Sequence, residues 1–317
     1  IYYELDADGS SFAPSISEDG RFVAFSSYAK NLDNTYMGQF PVGGEPIRHI
    51  YVHDRCVDGD FNRIDDEENV ATYLISLTPD GNLANGSSSS PSISLDASWI
   101  AYESGAVNLK ADFPENIFTQ VFRRKLFVLE TFTAEGIPSG GYKEETEGVF
   151  FDPDHPEHLS SLEIVSVDAG GVPGNSDSYS PSISGNGDHV AFASEADHLD
   201  ERMADTNGVP DIFVRSYANL QNGTGSTVRV SISSGGNEAI DPEGDGNLAA
   251  GSLMPSIDRS GRYVTFRSHS DNITQLPQLV NGFSDIFLHD RDYDGNGTYD
   301  EVITSGVLTQ VVSVNRF

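Results

Sequence analysis

Short runs of alternating apolar and polar residues recur along the whole chain, separated by turn-forming Gly, Asp, Asn and Ser. Each set of runs opens with Pro-Ser-Ile-Ser or Pro-Ser-Ile-Asp and continues, after a turn, into an apolar run such as Phe-Val-Ala-Phe at 22–25. The four copies of the opening tetrapeptide begin at Pro14, Pro91, Pro181 and Pro255. Alternation with a period of two is typical of half-buried strands, and self-similarity along a chain indicates a repeat architecture.

Two further apolar runs follow in each copy. The first covers 50–54, 125–129, 211–215 and 285–290, and the second covers 73–77, 163–167, 228–232 and 311–314. Each copy therefore contains four predicted strands, and a four-stranded unit repeated around an axis is a propeller blade. The sequence predicts an all-β protein, a β-propeller of four four-stranded blades with long inserted loops. In the first copy, Asp19-Gly20 predicts a tight hairpin turn between the first two strands.

The repeats resemble those of TolB-type (PD40-like) β-propellers from bacterial cell-envelope and secreted proteins. The matching segments are the Pro-Ser-Ile-Ser copies, the run 19–27, Asp-Thr-Asn-Gly at 205–208 before Asp-Ile-Phe-Val at 211–214, and Arg-Val-Ser at 229–231. The second copy departs from the pattern, because Leu-Asp-Ala-Ser at 95–98 lacks the turn glycine. The resemblance covers nearly the whole chain and implies the fold, but propellers host many functions and it implies no particular activity.

The repeats predict one domain over 1–317, because a single blade cannot bury both of its faces alone. The expected divisions are an extra strand and linker at 1–10, blade 1 at 11–80, blade 2 at 81–170, blade 3 at 171–240 and blade 4 at 241–317. The extra strand consists of Ile1, Tyr2, Tyr3, Glu4 and Leu5. We hypothesise that it adds to the edge of a neighbouring subunit, the alternative being that it pads the chain's own fourth blade as a fifth strand or completes the ring closure locally.

The composition is strongly acidic, with 49 Asp and Glu against 18 Lys and Arg and a net charge of -31. Such a surface repels nucleic acids and anionic membranes, and it suits either a cation-rich extracellular setting or solubility alone. The single cysteine, Cys56, allows no disulfide within the chain. No apolar run is long enough to span a membrane. A first residue other than Met fits either a processed secreted protein or a trimmed chain, and we expect an extracellular or cell-surface location.

Blade 4 contains the clearest motif for metal binding, a loop that follows its third strand. Oxygen-bearing side chains stand at its positions one, three and five, a glycine at six and a glutamate at twelve, as in an EF-hand calcium loop. The predicted ligands of Ca²⁺ are Asp290, Asp292, Asp294, Asn296 and Glu301. Calcium prefers six to eight oxygen ligands, which alternate residues of a tight turn can direct at one centre. The alternative is an acidic hairpin without an ion.

Blade 1 carries a related loop in which Cys56 stands where Asp292 stands in blade 4. A thiol is a poor calcium ligand, so a second, weaker calcium site would use Asp54, Asp58, Asp60 and Asn62. Two other segments are weaker candidates. The acidic and His-containing stretch 152–158 lies in the long insertion 130–162, and the Asp- and Gly-rich stretch 241–247 precedes the fourth copy. Both are also natural solvated loops.

We find no catalytic constellation in the sequence. No Gly-x-Ser-x-Gly elbow opens a helix, no His-Glu-x-x-His occurs, and a role in the repeat is the better interpretation of His53 and His289, which occupy matching places. We therefore expect a non-catalytic, calcium-stabilised structural or assembly subunit, a homo-oligomer or filament in a surface layer or fibre. The first alternative is a propeller that binds a glycan or a peptide, for which Tyr142, Phe150 and Phe151 are the aromatic candidates. An enzyme is a third and weaker option.

Overall fold

The computed structural model describes most of the predicted strands. The described residues are 6–41, 45–56, 70–109, 117–129, 148–150, 161–203, 205–217, 225–240, 251–274, 283–301 and 306–314, with the backbone alone at 127–129 and 148–150. Within them, four antiparallel sheets of four strands follow one another along the chain. The all-β propeller fold and its four-stranded blades are thus confirmed.

The strands fall into four sets in chain order. Blade 1 contains β1 (Ser11–Ile16), β2 (Phe22–Ser27), β3 (His49–Asp54) and β4 (Ala71–Leu74), with a 3-10 turn at Asn34–Tyr36. Blade 2 contains β5 (Ser88–Ile93), β6 (Trp99–Ser104), β7 (Gln120–Lys125) and β10 (Glu163–Ile164), and a small hairpin of β8 (Phe127–Leu129) and β9 (Gly148–Phe150) interrupts it. Blade 3 contains β11 (Ser178–Ile183), β12 (His189–Ser194), β13 (Asp211–Ser216) and β14 (Ser226–Arg229). Blade 4 contains β15 (Leu253–Ile257), β16 (Tyr263–Ser268), β17 (Asp285–Asp290) and β18 (Leu308–Val311).

The first strand of every blade carries a bulge just before or at its proline. A residue with φ between 50° and 57° marks the bulge in each blade: Ala13, Ser90, Ser180 and Met254. The register against the second strand shifts at the same place. Proline has no N–H to give to a strand ladder, so a bulge is one of the few places where a strand tolerates it. This geometry explains why proline recurs in the opening tetrapeptide.

The turn after the first strand has the same shape in all four blades, including the one without glycine. In blade 1, Gly20 has φ of 74° and donates its N–H to the carbonyl of Ser17. In blade 2, Ala97 takes the same place with φ of 56° and donates to Ser94. The fold therefore imposes the left-handed conformation on an alanine, which costs about 1–2 kcal/mol for a residue with a Cβ.

The closing strands end earlier than the apolar pattern predicts. The serine of each Val-Ser-Val or Ile-Ser-Leu run lies beyond the last residue of the strand and caps the beginning of the third strand. Its Oγ accepts the N–H of Ile50, Val121, Ile212 or Ile286 at 3.0–3.1 Å. A side-chain oxygen thus replaces a backbone carbonyl at the end of the ladder, which explains why serine interrupts an otherwise apolar run.

Consecutive blades pack face to face. The first strand of blades 2, 3 and 4 lies against the sheet of the blade before it, so β5 packs on β2, β11 on β6, and β15 on β12. The buried apolar side chains of the described residues form three clusters between and within these sheets. No helix in the described part of the chain is long and apolar enough to cross a membrane.

Candidate functional site

The first predicted calcium ligand, Asp290, is held by an arginine. Arg262 donates from Nε and Nη2 to the two carboxylate oxygens of Asp290 at 2.6 and 2.8 Å. Burial works against the ionised Asp290 carboxyl, but the hydrogen bonds from Arg262 outweigh it and keep its pKa below the usual value. Because a bidentate pair of this kind engages both oxygens, Asp290 acts in the structure as a strand-end anchor.

The other predicted ligands lie in a tight acidic turn beyond that anchor. Asp292 accepts the N–H of Gly297 at 3.2 Å, and Gly295 and Gly297 have φ of 72° and 85°. The Asn296 amide nitrogen donates to both Asp294, at 3.0 Å, and Glu301, at 2.7 Å. Asp294 and Glu301 thus both accept from the side-chain amide nitrogen of Asn296. To bind a cation here, Asn296 would have to present its amide oxygen instead.

A buried arginine fixes the base of the same turn. Arg291 donates to both carboxylate oxygens of Asp300 at 2.9 and 2.6 Å and to the carbonyl of Gly261 at 2.6 Å. It also donates to Ser216 Oγ of blade 3 at 3.0 Å. The acidic turn is therefore tied both to its own blade and to the neighbouring one, so any ion bound in it would act on a rigidly anchored loop.

Blade 1 repeats this arrangement at the start of its own acidic loop. Arg21 donates to both oxygens of Asp54 at 2.7 and 2.8 Å, and Arg55 donates to the carbonyl of Gly20 at 2.7 Å. Asp54 therefore matches Asp290 as a strand-end anchor. The remaining candidates of this loop, Asp58, Asp60 and Asn62, lie outside the described residues.

Blade 3 contains a carboxylate cluster that the sequence analysis did not single out as a site. Oxygens of Asp205, Asp211 and Glu238 lie within 4.8 Å of one another, the one such group of three metal-ligating side chains among the residues that the structure describes. Arg229 lies among them, at 2.6 Å from Glu238, 3.3 Å from Asp211 and 3.7 Å from Asp205. Asp211 also accepts from Ser231 Oγ at 2.5 Å.

The electrostatics of this cluster are those of a buried ion network. Burial raises the pKa of Asp211 to about 7, although Arg229 opposes the rise. Burial also raises the pKa of Asp205. Burial disfavours the charged guanidinium of Arg229, but its carboxylate neighbours outweigh that effect and raise its pKa. Two features of the sequence could have indicated this cluster: the Asp-Thr-Asn-Gly segment and the arginine inside an apolar closing run. From the sequence, both are assigned only to the repeat.

Two apolar surfaces remain at the ends of the series of blades. On the first, Ile16 is 54% exposed, whereas its equivalents Ile93, Ile183 and Ile257 are 5%, 7% and 9% exposed. Phe12 and Pro14 of β1 are also exposed, and we call these three residues the blade 1 end surface. The strand that carries them has no packing against blade 4 comparable to that of β5, β11 and β15 on their preceding blades, within the described chain.

The second surface is the outer face of blade 4. Ile286 is 41% exposed, whereas its equivalents Ile50, Val121 and Ile212 are fully buried. Val312 and Val314 are likewise exposed, and their counterparts in the other blades are buried. We call Ile286, Val312 and Val314 the blade 4 end surface. The exposed side chains of Arg259 and Glu18 form an ion pair of 2.7 Å between the turns of blades 4 and 1.

Several candidates from the sequence lie outside the described residues. The proposed strand-addition segment 1–5, the His-containing stretch 152–158 and the Asp- and Gly-rich stretch 241–247 belong to this group. The side chains of Tyr142, Phe150 and Phe151 are also outside it, so the predicted aromatic binding rim stays a prediction. Of the described candidates, His53 and His289 each hydrogen-bond a threonine of the closing strand, at 2.9 and 2.7 Å.

No protein-family model matches the chain, and no characterised relative matches it by sequence. Solved structures do match it: TolB from Acinetobacter baumannii has 10% identity over 96% of this chain and 43% of its own, with a TM-score of 0.42. The tricorn protease has 13% identity over 94% of this chain and 22% of its own, with a TM-score of 0.41. An α-L-arabinofuranosidase from Lactobacillus brevis has 12% identity over 98% of this chain and 76% of its own, with a TM-score of 0.35.

The β-propeller fold expected from the resemblance to TolB-type repeats is confirmed. It rests on the four four-stranded antiparallel sheets that follow one another along the described chain. The chain spans less than half the length of the matched TolB and tricorn protease chains. Their identities of 10% and 13% carry no activity over to this protein, because one propeller fold serves many functions.

Proposed function

We propose that this protein is a non-catalytic, extracellular β-propeller that acts as an assembly subunit of a larger fibre or layer and is stabilised by calcium. The observation that carries the proposal is the pair of exposed apolar surfaces at the two ends of the blade series. Contiguous exposed apolar surface on a protein otherwise as acidic as this one is typical of an interaction site. An acidic chain of net charge -31 also repels its own copies, so such contacts need screening or bound cations.

The carboxylate clusters support a structural role for the described acidic residues. In blade 3, Arg229 and Ser231 engage oxygens of the cluster, and in blades 1 and 4 arginines engage Asp54 and Asp290. These carboxylates are used to hold strand ends and loops in place. In the acidic turn of blade 4, calcium would be held by Asp292, Asp294, Asn296 and Glu301. It would supply a charge that neutralises the turn and links its two sides.

The proposal is tested by measuring the assembly state of the purified protein by sedimentation velocity and negative-stain electron microscopy. The samples contain calcium or a chelator, at low and at high ionic strength. We expect particles larger than one 34.3 kDa chain, favoured by calcium and by salt. Monodisperse single chains under all four conditions would refute the proposed function. Deleting 1–5 in the same assay tests whether strand addition by that segment contributes to assembly.

A further inference from the structure

The blade 1 and blade 4 end surfaces are the two halves of one blade–blade interface. We propose that blade 4 of one copy docks onto blade 1 of a second copy in the register that joins consecutive blades within the chain. Copies would then add head to tail. This inference rests on the proposed function and names the contact by which assembly occurs.

A repeated backbone-to-serine hydrogen bond defines the register between blades. At each internal interface, the isoleucine N–H of one blade donates to the serine Oγ of the blade before it, at 3.1 Å. The three pairs are Ile93 with Ser15, Ile183 with Ser92, and Ile257 with Ser182. Within the described chain, one donor and one acceptor of this series have no such partner. They are the N–H of Ile16 on blade 1 and the Oγ of the exposed Ser256 on blade 4.

Two more hydrogen bonds recur between consecutive blades, and blade 1 carries the equivalent donor and blade 4 the equivalent acceptor of each. The N–H at the start of each first strand donates to the carbonyl before the preceding third strand, at 2.7–2.8 Å: Ser88 to Arg48, Ser178 to Thr119, and Ser252 to Pro210. The equivalents that lack this bond, as far as the structure describes the chain, are the N–H of Ser11 and the carbonyl of Ser284. In blades 3 and 4, a threonine hydroxyl donates to the last carbonyl of the preceding closing run, Thr227 to Val167 and Thr309 to Ile232, both at 2.5 Å. Among the described residues, the equivalents without this bond are the Thr72 hydroxyl, which contacts His53 Nδ1 at 2.9 Å as Thr309 contacts His289, and the carbonyl of Val314.

The apolar parts of the two surfaces match in the same way. In the internal interfaces, the isoleucine of the first strand is buried, as are the counterparts of Ile286 and Val312 on the blade before it. The turns of blades 3 and 4 also rest on a ring of the blade before them. Gly187 lies against Trp99 and Gly261 against His189. On the end surfaces, Gly20 has no ring near it, and the equivalent ring, Tyr263, is exposed.

A second copy is the occupant that satisfies every one of these positions at once. Its blade 1 would supply the N–H groups of Ser11 and Ile16 and the hydroxyl of Thr72, and the blade 4 that it meets would supply the three acceptors. Within one chain, blades 4 and 1 meet through the exposed ion pair of Arg259 and Glu18, whereas the internal turns are joined by backbone bonds such as Gly185 to Arg259 at 3.0 Å. Since the contact joins unlike surfaces, it produces a closed ring or an open filament.

The test uses one charge substitution on each end surface, Ile16→Asp and Ile286→Glu, with Val107→Asp as the matched control. Val107 is 40% exposed, close to the 41% of Ile286, and lies on neither end surface. Because all three side chains are exposed in the single chain, folding should be retained, which circular dichroism and thermal unfolding check. Sedimentation velocity is run at an ionic strength of about 1 M, where the Debye length is about 3 Å.

Head-to-tail docking predicts that each end-surface variant is a single chain by itself, while the Val107→Asp protein assembles as the wild type does. An equimolar mixture of Ile16→Asp and Ile286→Glu should give a species of two chains that grows no further. In that mixture, one intact blade 4 surface meets one intact blade 1 surface and no other intact pair remains. Deleting 1–5 should leave the mixture's two-chain species in place.

Four outcomes overturn the inference. If wild-type protein assembles and both variants assemble equally well, the contact lies elsewhere and the proposed function stands. If one variant alone loses assembly, the contact joins like surfaces. If the deletion of 1–5 abolishes assembly, the added strand is the link. If both variants are destabilised relative to Val107→Asp and the mixture gives no two-chain species, blade 1 closes on blade 4 of its own chain.

Discussion

Replacing Arg229 with methionine tests whether the blade 3 cluster is an ion network that stabilises the fold. The arginine side chain is 1% exposed, and its partners Asp211, Asp205 and Glu238 are 0%, 6% and 17% exposed. Methionine fills much of the same volume, so the change removes charge and hydrogen bonds more than packing. Removing one partner of a buried ion pair costs roughly 3–5 kcal/mol, because the remaining charges are left buried without compensation. We expect a loss of about that size at pH 8 in the free energy of unfolding.

The loss should depend on pH with a definite sign. Burial already raises the pKa of Asp211 from 3.8 to about 7, and removing Arg229 takes away the main influence that opposes the rise. A carboxyl with a raised pKa in the folded protein holds a proton that the unfolded chain has released, so the folded variant becomes less stable as pH rises. The destabilisation of Arg229→Met relative to wild type should therefore be smaller at pH 5 than at pH 8.

Urea unfolding followed by Trp99 fluorescence and circular dichroism measures both effects. The control is Arg259→Met, since the exposed Arg259–Glu18 pair has side chains 65% and 53% accessible and such pairs contribute about 0–1 kcal/mol. In the variant, the three carboxylates within 4.8 Å of one another lose their cation, so added calcium should restore part of the stability. A difference from wild type below about 1 kcal/mol at pH 8, or one that does not change with pH, would contradict the ion-network account.

Three other predictions concern the acidic turn, the buried histidines and the turn glycines. Excess calcium should raise the free energy of unfolding by about 3–4 kcal/mol when it exceeds the dissociation constant by two to three decades, and Asp294→Ala should remove most of that response in thermal unfolding with and without chelator. Burial lowers the pKa of three histidines to about 4. These are His49, His189 and His289. The free energy of unfolding should fall as the pH falls from 6.5 to 4, because these histidines bind protons in the unfolded chain before they do so in the folded protein. The loss is at most about 3 kcal/mol per histidine. Since Asp211 changes stability in the opposite direction over this range, the histidine effect is measured as the difference between wild type and His289→Gln. Gly261→Ala should lower the free energy of unfolding by about 2–4 kcal/mol, because φ is 78° and the new Cβ would lie 2.1 Å from the His189 ring. The control is Gly208→Ala, where φ is 68° but the space around the new Cβ is open, and the loss should be about 1–2 kcal/mol. Urea unfolding measures both.

The four-stranded pattern of the blades could be predicted because each blade repeats it. The prediction for the third strand of blade 2 is wrong: the strand is Gln120–Lys125 and not 125–129, because the apolar Phe127–Leu129 belongs to a separate hairpin with Gly148–Phe150. An alternating run bounded by turn residues specifies a strand locally, and four copies specify the architecture. The ends of the closing strands could not be predicted in the same way. An apolar run with one serine fits a longer strand equally well, and the structure shows that Ser76 and its equivalents leave the ladder to cap Ile50 and its equivalents.

The calcium motif illustrates what residue spacing alone leaves out. The spacing of Asp290 to Glu301 matches a calcium loop, but a motif does not show which carboxylates have other partners. Arg262 lies 28 residues before Asp290 and meets it because β16 and β17 pair with Tyr263 opposite Asp290. The same pairing in blade 1 brings Arg21 to Asp54. An arginine directly before the second strand is thus the signal, visible in both blades, that the first aspartate of the loop is an anchor.

The end surfaces could not be predicted from any single repeat, because the repeats that form them are the same as those that are buried. Ile16 belongs to the same Pro-Ser-Ile-Ser segment as Ile93 and Ile183, and Ile286 belongs to the same strand type as Ile50. What differs is the neighbour, since each blade is buried by the one that precedes it and the one that follows it. An array of such units keeps one unfilled half-interface at each end unless it closes on itself. The apolar character that the sequence retains at both ends is therefore the property by which a second copy would extend the array.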